Sequence, residues 1–250
     1  MVMRFLKAAL AAGFLAGALV AGLQEVTTTP LILEAEKYES GEIVSAGRFL
    51  VAHASDVRSD SLVHLAHGGE DHGSENAWAP EDGIERSLSS ALATVGTTFG
   101  FALILLAAMV LSDTKISARS GLAWGAAAFA ATGLAPALGL SPELPGSAAA
   151  VLEDRQIWWI GTALATAAGL FLALRVSGPL AIVAGLALIA LPHVIGAPHA
   201  DGYTSNVPSE LSGHFASASL VVHAVTWALT GSVAGFVWKR TGTREATASA

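Results

Sequence analysis

The chemistry open to this chain is chiefly histidine chemistry. Four of its eight histidines fall in the stretch LPHVIGAPHADGYTSNVPSELSGHFASASLVVHAVTWALT, residues 191–230: His193, His199, His214 and His223. His193 and His223 stand inside apolar runs long enough to cross a bilayer. An ionisable side chain at that depth is costly and as a rule faces a bundle interior or a wet cavity. Neutral imidazole is a good ligand for divalent transition metals. The pattern therefore predicts a membrane-embedded pathway for a small cation.

With a last helix starting near Gly213, His223 lies ten residues in, about 15 Å deep at 1.5 Å per residue. Ser219, Thr226 and Thr230 share its face at −4, +3 and +7. A bland alternative stands beside the pathway: a histidine bonded to a neighbouring helix, with hydroxyls bonded to their own backbone. His214 is half a turn off this stripe and belongs at the outer mouth. His193 follows Pro192, which breaks the helical ladder and can free carbonyls near Ile189. The competing reading ends the helix at Pro192 and leaves His193 wet. His199, six residues on, pairs with His193 as a second candidate ligand.

A separate cluster comprises His64, His67, Glu70, Asp71 and His72, with His53 upstream. Imidazole and carboxylate suit divalent Co, Ni, Zn or Cu, so a metal-collecting loop is expected, with a merely solvated acidic loop as the alternative. Intrinsic affinity ranks Cu and Ni above Co, so the ligands do not name the metal. Glu25, at the end of the first helix, is expected to line a mouth. The candidate metal residues are thus His193, His223, His199, His214, His64, His67, His72 and Glu25. Glu153 or Asp154 with Arg155 reads as a surface charge cluster beside the interfacial anchors Trp158 and Trp159. Thr162 with Thr166, and Thr94 with Thr97 or Thr98, read as packing or helix-to-helix hydrogen bonds.

The elements that must position these residues are membrane helices. Hydrophobic residues make up 53% of the 250 and charged ones only 13%, against about 25% in a soluble domain. Mean hydropathy is +0.58. Six apolar runs approach the spanning length of about 20 residues, at roughly 5–23, 88–111, 120–140, 157–174, 178–196 and 213–238. The expected fold is an all-α polytopic bundle of six transmembrane helices in a single membrane domain over 1–250. A long acidic, His-rich outer loop, 24–87, joins the first two. The fourth and fifth runs form a tight hairpin. The first run is expected to be an uncleaved anchor. If it is instead a cleaved signal, with Arg4 and Lys7 as its positive start, five helices remain. Pro30 keeps the first helix from continuing outward, and Leu31–Glu39 can form an amphipathic interfacial helix.

With the N-terminus inside, cytoplasmic segments carry eight basic residues (Arg4, Lys7, Lys115, Arg119, Arg175, Lys239, Arg240, Arg244) against two acidic ones, Asp113 and Glu245. The outer segments carry five basic and eighteen acidic residues. This asymmetry places both termini in the cytoplasm and every histidine outside or within the membrane. The pairs Gly13/Gly17, Gly96/Gly100, Gly121/Gly125 and Gly231/Gly235 predict close helix packing.

Several function classes fall away. No cysteine means no disulfide, thiolate metal site or iron–sulfur cluster. No GxxxxGK[ST], HExxH or GxSxG is present, so neither an ATPase nor a hydrolase is indicated and the chain is not expected to be an enzyme. No basic patch outside the short inside loops suggests nucleic-acid binding.

Three blocks, RFLKAALAAGFLAGALVAGLQEVTTTPLILEAEKYE, PELPGSAAAVLEDRQIWWIGTALATAAGL (Pro142–Leu170) and ALPHVIGAP (Ala190–Pro198), resemble the CbtA family of probable cobalt transporter subunits. With the helices between them, they extend over nearly the whole chain. The resemblance implies a prokaryotic inner-membrane protein of five or six helices, linked to cobalamin biosynthesis. It also implies a companion small CbtB-type subunit with one helix and a His-rich end. It brings no mapped ligand residues. The expected function is a membrane subunit of a transporter for cobalt or a similar divalent cation such as nickel. The alternative is a non-transporting membrane scaffold or metal-sensing, partner-binding subunit. No tightly bound cofactor is expected. The expected partners are the CbtB-type subunit, membrane lipid, the divalent metal ion and, as a homo-oligomer, further copies of the chain. Ligation needs neutral imidazole, so uptake should weaken as pH falls through the ordinary histidine range near about 6.5.

Overall fold

The computed structural model describes residues 1–41, 80–200, 202 and 205–248, with side chains described to residue 242. Every regular element among them is helical. In chain order they are α1 (Val2–Val26), α2 (Thr28–Glu39), α3 (Ile84–Leu111), α4 (Ala118–Phe129), α5 (Leu152–Arg175), α6 (Pro179–Ile195) and α7 (Ser209–Ala248). A π-helical turn, Ala130–Leu134, and a short α-helical end, Ala135–Ala137, continue α4 without a break. Four helices are long and apolar enough to cross a membrane: Val2–Val26, Ile84–Leu111, Leu152–Arg175 and Ser209–Gly242. α6 is apolar but shorter.

Small residues set the architecture. α7 runs between α1 and α4, and α3 closes over α1 and α7. Ala8, Ala9, Ala12, Gly13, Ala16 and Gly17 bury one face of α1. On α4, Gly121 and Gly125 lie directly against the backbone carbonyls of Gly231 and Trp227, and Gly231 returns the contact on Gly121. Gly235 sits on the Ser117 carbonyl. A side chain at any of these would strike backbone that cannot move aside, which is why the seam needs glycine. Gly13 and Gly17 seat Phe99, Val95 and Thr98 of α3 in the same way. Gly96 and Gly100 differ, because among the described residues nothing lies within 4 Å of a Cβ added at either. That pair is an open face of α3, flanked by exposed Leu92 and Ile104.

The α5–α6 pair is a hairpin turned at Val176–Gly178, and it is also held by glycines: a Cβ added at Gly169 or Gly185 would come within 2.5 Å of the other's carbonyl oxygen. α6 packs extensively on α5 alone, while α5 reaches the rest of the bundle mainly through the π turn and Ala135–Ala137. Alternation of direction puts the ends of α1, α4 and α6 and the starts of α3, α5 and α7 at one end, beside α2. There Ala35, Leu144 and Val207 form a small second core with Ile32, Tyr38, Leu211 and Phe215. α2 is tied to α3 by a two-pronged pair between Arg86 and Glu36, with one arm at 2.9 Å. At the opposite end Arg4 lies over the Trp238 ring, 4.4 Å from its centroid, and donates to the Trp238 carbonyl at 2.8 Å. Arg175 there donates to Ser112 O, and Arg119, Lys239 and Arg240 line one open cavity of about 440 Å³.

Proline explains two local departures from regular helix. Pro136 has no N–H, and its ring would collide with the carbonyl four residues back, at Thr132. The helix widens instead, and the Ala135 N–H bonds the Ala130 carbonyl, five residues back. Pro192 does not end α6. The helix runs on to Ile195 and stops at Gly196, whose φ of +92° suits glycine. The break between α1 and α2 falls at Thr27 (φ −122°, ψ −71°), three residues before Pro30.

Candidate functional site

His223 sits where α7 crosses the π turn. α7 begins at Ser209, four residues earlier than Gly213, so His223 lies 14 residues in, about 21 Å along the helix. The apolar stretch Ser209–Gly242 is 34 residues long, which puts the imidazole near its middle. Trp227, one turn on and 3% exposed, points its indole at the same spot. Its Nε1–H lies 2.8 Å from His223 Nε2 and 3.0 Å from Thr132 Oγ1. Thr132 Oγ1 is itself 3.2 Å from His223 Nε2 and donates to the Ala128 carbonyl at 2.9 Å. Indole N–H can only donate, so His223 Nε2 is the acceptor and the ring carries its proton on Nδ1. The imidazole is therefore neutral in this arrangement, with its free lone pair covered by Trp227.

The surroundings hold that geometry. Phe101 of α3 stacks on Trp227 at 4.1 Å and 11°. Phe129 tilts against His223 at 6.0 Å. A Cβ on Gly133 would come within 2.9 Å of the Phe129 ring and 3.3 Å of the His223 ring, so glycine in the widened turn makes room for both. Thr132, Trp227 and the π turn were not singled out from sequence. The signals were present: Pro136 inside an apolar run, and the four-residue spacing of His223 and Trp227, which puts them on one face. Along the same helix the Thr226 hydroxyl donates to Val222 O at 2.7 Å, while Thr230 Oγ1 is fully buried without a hydrogen-bond partner among the described residues.

His193 occupies the hairpin. Trp158 packs edge-on to it with ring centroids 5.8 Å apart and donates from Nε1 to the Pro192 carbonyl at 3.3 Å. The same indole fills the space left by Gly139. His193 Nε2 is buried and, among the described residues, has no hydrogen-bond partner. Trp158 is thus a wedge between the end of the α4 stretch and the hairpin, and it holds a helix carbonyl beside Pro192.

The remaining candidates are dispersed. His199 and His214 are exposed near the α2 end. Glu25, also exposed, lines a small polar cavity between α1, α2 and α3. His64, His67 and His72, with His53, Glu70 and Asp71, lie outside the described residues. Among the described residues no three His, Asp or Glu side chains are placed to hold one metal ion. Arg155 does not cluster with Glu153 or Asp154, because it reaches Glu143 in the α4–α5 connection at 2.5 Å. Burial pushes the Glu143 carboxyl above its ordinary value, against the pull of Arg155. The threonines act in packing: Thr98 bonds the Gly13 carbonyl across the α1–α3 seam at 2.9 Å, Thr94 bonds Gln24 Oε1 at 2.9 Å, and Thr162 bonds its own helix.

The family comparison covers this whole arrangement. The family model described as Probable cobalt transporter subunit (CbtA) matches residues 2–239. The chain belongs to the CbtA family. No curated protein and no solved structure matches it. The family's members are described as probable transporter subunits, and with several apolar helices this member is a multi-pass membrane protein. The CbtA match takes in α1 through Lys239 of α7, so His193, His223 and the π turn all lie inside it.

Proposed function

We propose that this chain is the membrane subunit of a transporter for cobalt or a similar divalent transition-metal cation, with His223 at the centre of the ion path. It crosses the prokaryotic cytoplasmic membrane six times: α1, α3, the α4 stretch, α5, α6 and α7. Both termini are cytoplasmic and the α2 end faces out. The chain is uncleaved, since α1 supplies much of the bundle's buried surface. The basic residues gathered at the end opposite α2 support this orientation.

The observation that carries the reading is the Trp227–His223–Thr132 cluster at a widened helix turn near mid-span. π turns within helices occur often at functional sites. Passage of a cation requires Trp227 to release His223 Nε2. The freed lone pair and the Thr132 hydroxyl oxygen then face the ion, and Trp227 closes behind it. His193, with an unpartnered Nε2, provides a second station toward the outside. His199, His214 and the outer loop with His64, His67 and His72 gather the ion. The companion is a small His-rich single-helix subunit of the CbtB type. The open Gly96/Gly100 face of α3 suits the close approach of another helix.

The test is cobalt accumulation in cells lacking other cobalt importers, with and without this chain and its small partner, competed by nickel and zinc. Accumulation should require the chain, and His193→Ala with His223→Ala should abolish it while the protein persists in the membrane. Flux unchanged by the double substitution would move the chain to the scaffold class.

A further inference from the structure

Six polar side chains from three helices enclose a cavity of about 130 Å³ at the α2 end. Gln24 and Glu25 come from the last turn of α1, Thr28 and Thr29 from the first turn of α2, and Ser90 and Thr94 from α3. Thr94 donates to Gln24 Oε1 at 2.9 Å and so fixes the amide oxygen. Thr28 has only a long 3.5 Å contact to the Gln24 carbonyl. Among the described residues, Glu25, Thr29 and Ser90 have no side-chain hydrogen bond or ion pair. The nearby cation, Arg86, is committed to Glu36 and Asp82 and does not neutralise Glu25. The result is a cavity at a break between helices, lined by one carboxylate and two hydroxyls without partners among the described residues, and by an amide oxygen and two further hydroxyls already engaged.

The donor set selects the ligand. Every group that can coordinate here is an oxygen, and oxygen sets suit hard cations, whereas imidazole suits transition metals. One carboxylate neutralises one charge. A monovalent ion would be fully neutralised there, whereas a divalent one would keep a net positive charge. The volume is sufficient for a small ion that keeps part of its hydration shell.

We propose that this cavity binds a sodium ion, and that sodium entering from the α2 side drives import. The coupling rests on the transport reading above, but the binding does not. It would supply an energy source to a chain with no nucleotide-binding motif.

The first experiment is thermal denaturation of the purified full chain in detergent, in sodium chloride against choline chloride at matched ionic strength. Sodium should raise the melting temperature saturably. Glu25→Gln should weaken the apparent affinity by about tenfold or more, and Ser90→Ala by a smaller factor. Equal shifts in choline, potassium or magnesium chloride, or a full sodium response in Glu25→Gln, would overturn the site. The second is cobalt accumulation with external sodium replaced by choline. Loss of uptake supports coupling. Sodium binding by a chain whose cobalt uptake ignores sodium keeps the site and overturns the coupling. Sodium binding by a chain that moves no cobalt overturns the transport reading alone.

Discussion

The two membrane histidines occupy opposite kinds of surroundings. His223 lies at the edge of the part built from α1, α3, α4 and α7, where glycines press backbone on backbone. Its Nε2 is bonded by Trp227 and lies within 3.2 Å of Thr132. His193 lies on the α5–α6 hairpin, joined to that part chiefly through the widened end of the α4 stretch. Its Nε2 is buried with no partner among the described residues. The contrast has a physical origin. A seam closed by direct contact of glycines with carbonyls has no space for polar cargo. The two imidazoles instead lie beside prolines, His223 against the widened turn ahead of Pro136 and His193 next to Pro192. One is satisfied internally and, among the described residues, the Nε2 of the other is not.

The sharpest way to break this comparison is to overfill the tight seam. Gly121→Leu would drive a side chain into the Gly231 carbonyl, at a cost of at least about 3 kcal/mol, since backbone cannot yield. The expected outcome is little folded protein on size exclusion after extraction. Gly96→Leu, on the open face, should extract and melt like the parent chain. If the two behave alike, the seam is not what holds the bundle together.

A smaller effect separates the histidines. His223→Ala removes the nearer of two acceptors of the buried Trp227 N–H, leaving Thr132 Oγ1, and should cost about 1 kcal/mol in the detergent-solubilised protein. His193→Ala leaves no stranded hydrogen-bonding partner and should cost clearly less. Equal losses in thermal melts would erase the distinction drawn here.

The smallest effect concerns Glu143 and Arg155. Burial raises the Glu143 carboxyl despite its cationic partner, so the folded state holds that proton more tightly than the unfolded chain does. The stability contributed is therefore fully present below the ordinary value and lost as pH rises through the raised one. Relative to Glu143→Gln, the parent chain should melt slightly higher in mild acid and lose that margin toward neutral pH. An advantage growing with pH would show that the ion pair outweighs burial.

How much of this was legible in one dimension varies by residue. The all-helical class follows from runs of apolar residues at spanning length, because in lipid only closed backbone hydrogen bonding is tolerated. Three of the four spaced glycine pairs do pack helices closely, but nothing in their spacing distinguishes them from Gly96/Gly100, which face open space. Gly169 and Gly185, which close the hairpin, stand in no such motif at all. The basic residues gathered opposite α2 follow the charge pattern, and His223 was visible as an imidazole in an apolar run. Its partners were not, because Thr132 lies 91 residues away in sequence and Trp227 looked like one more apolar ring. Arg155 found Glu143 rather than its sequence neighbours because the chain folds the α4–α5 connection back over the start of α5.

Composition and local pattern specify that this chain is helical, apolar and charge-biased, because lipid acts on every residue separately and needs no knowledge of neighbours. Which lone pairs are covered, which glycines touch and which oxygens share a cavity depend on how the helices cross. Those crossings are settled by contacts between distant segments, so they exist only in the assembled bundle.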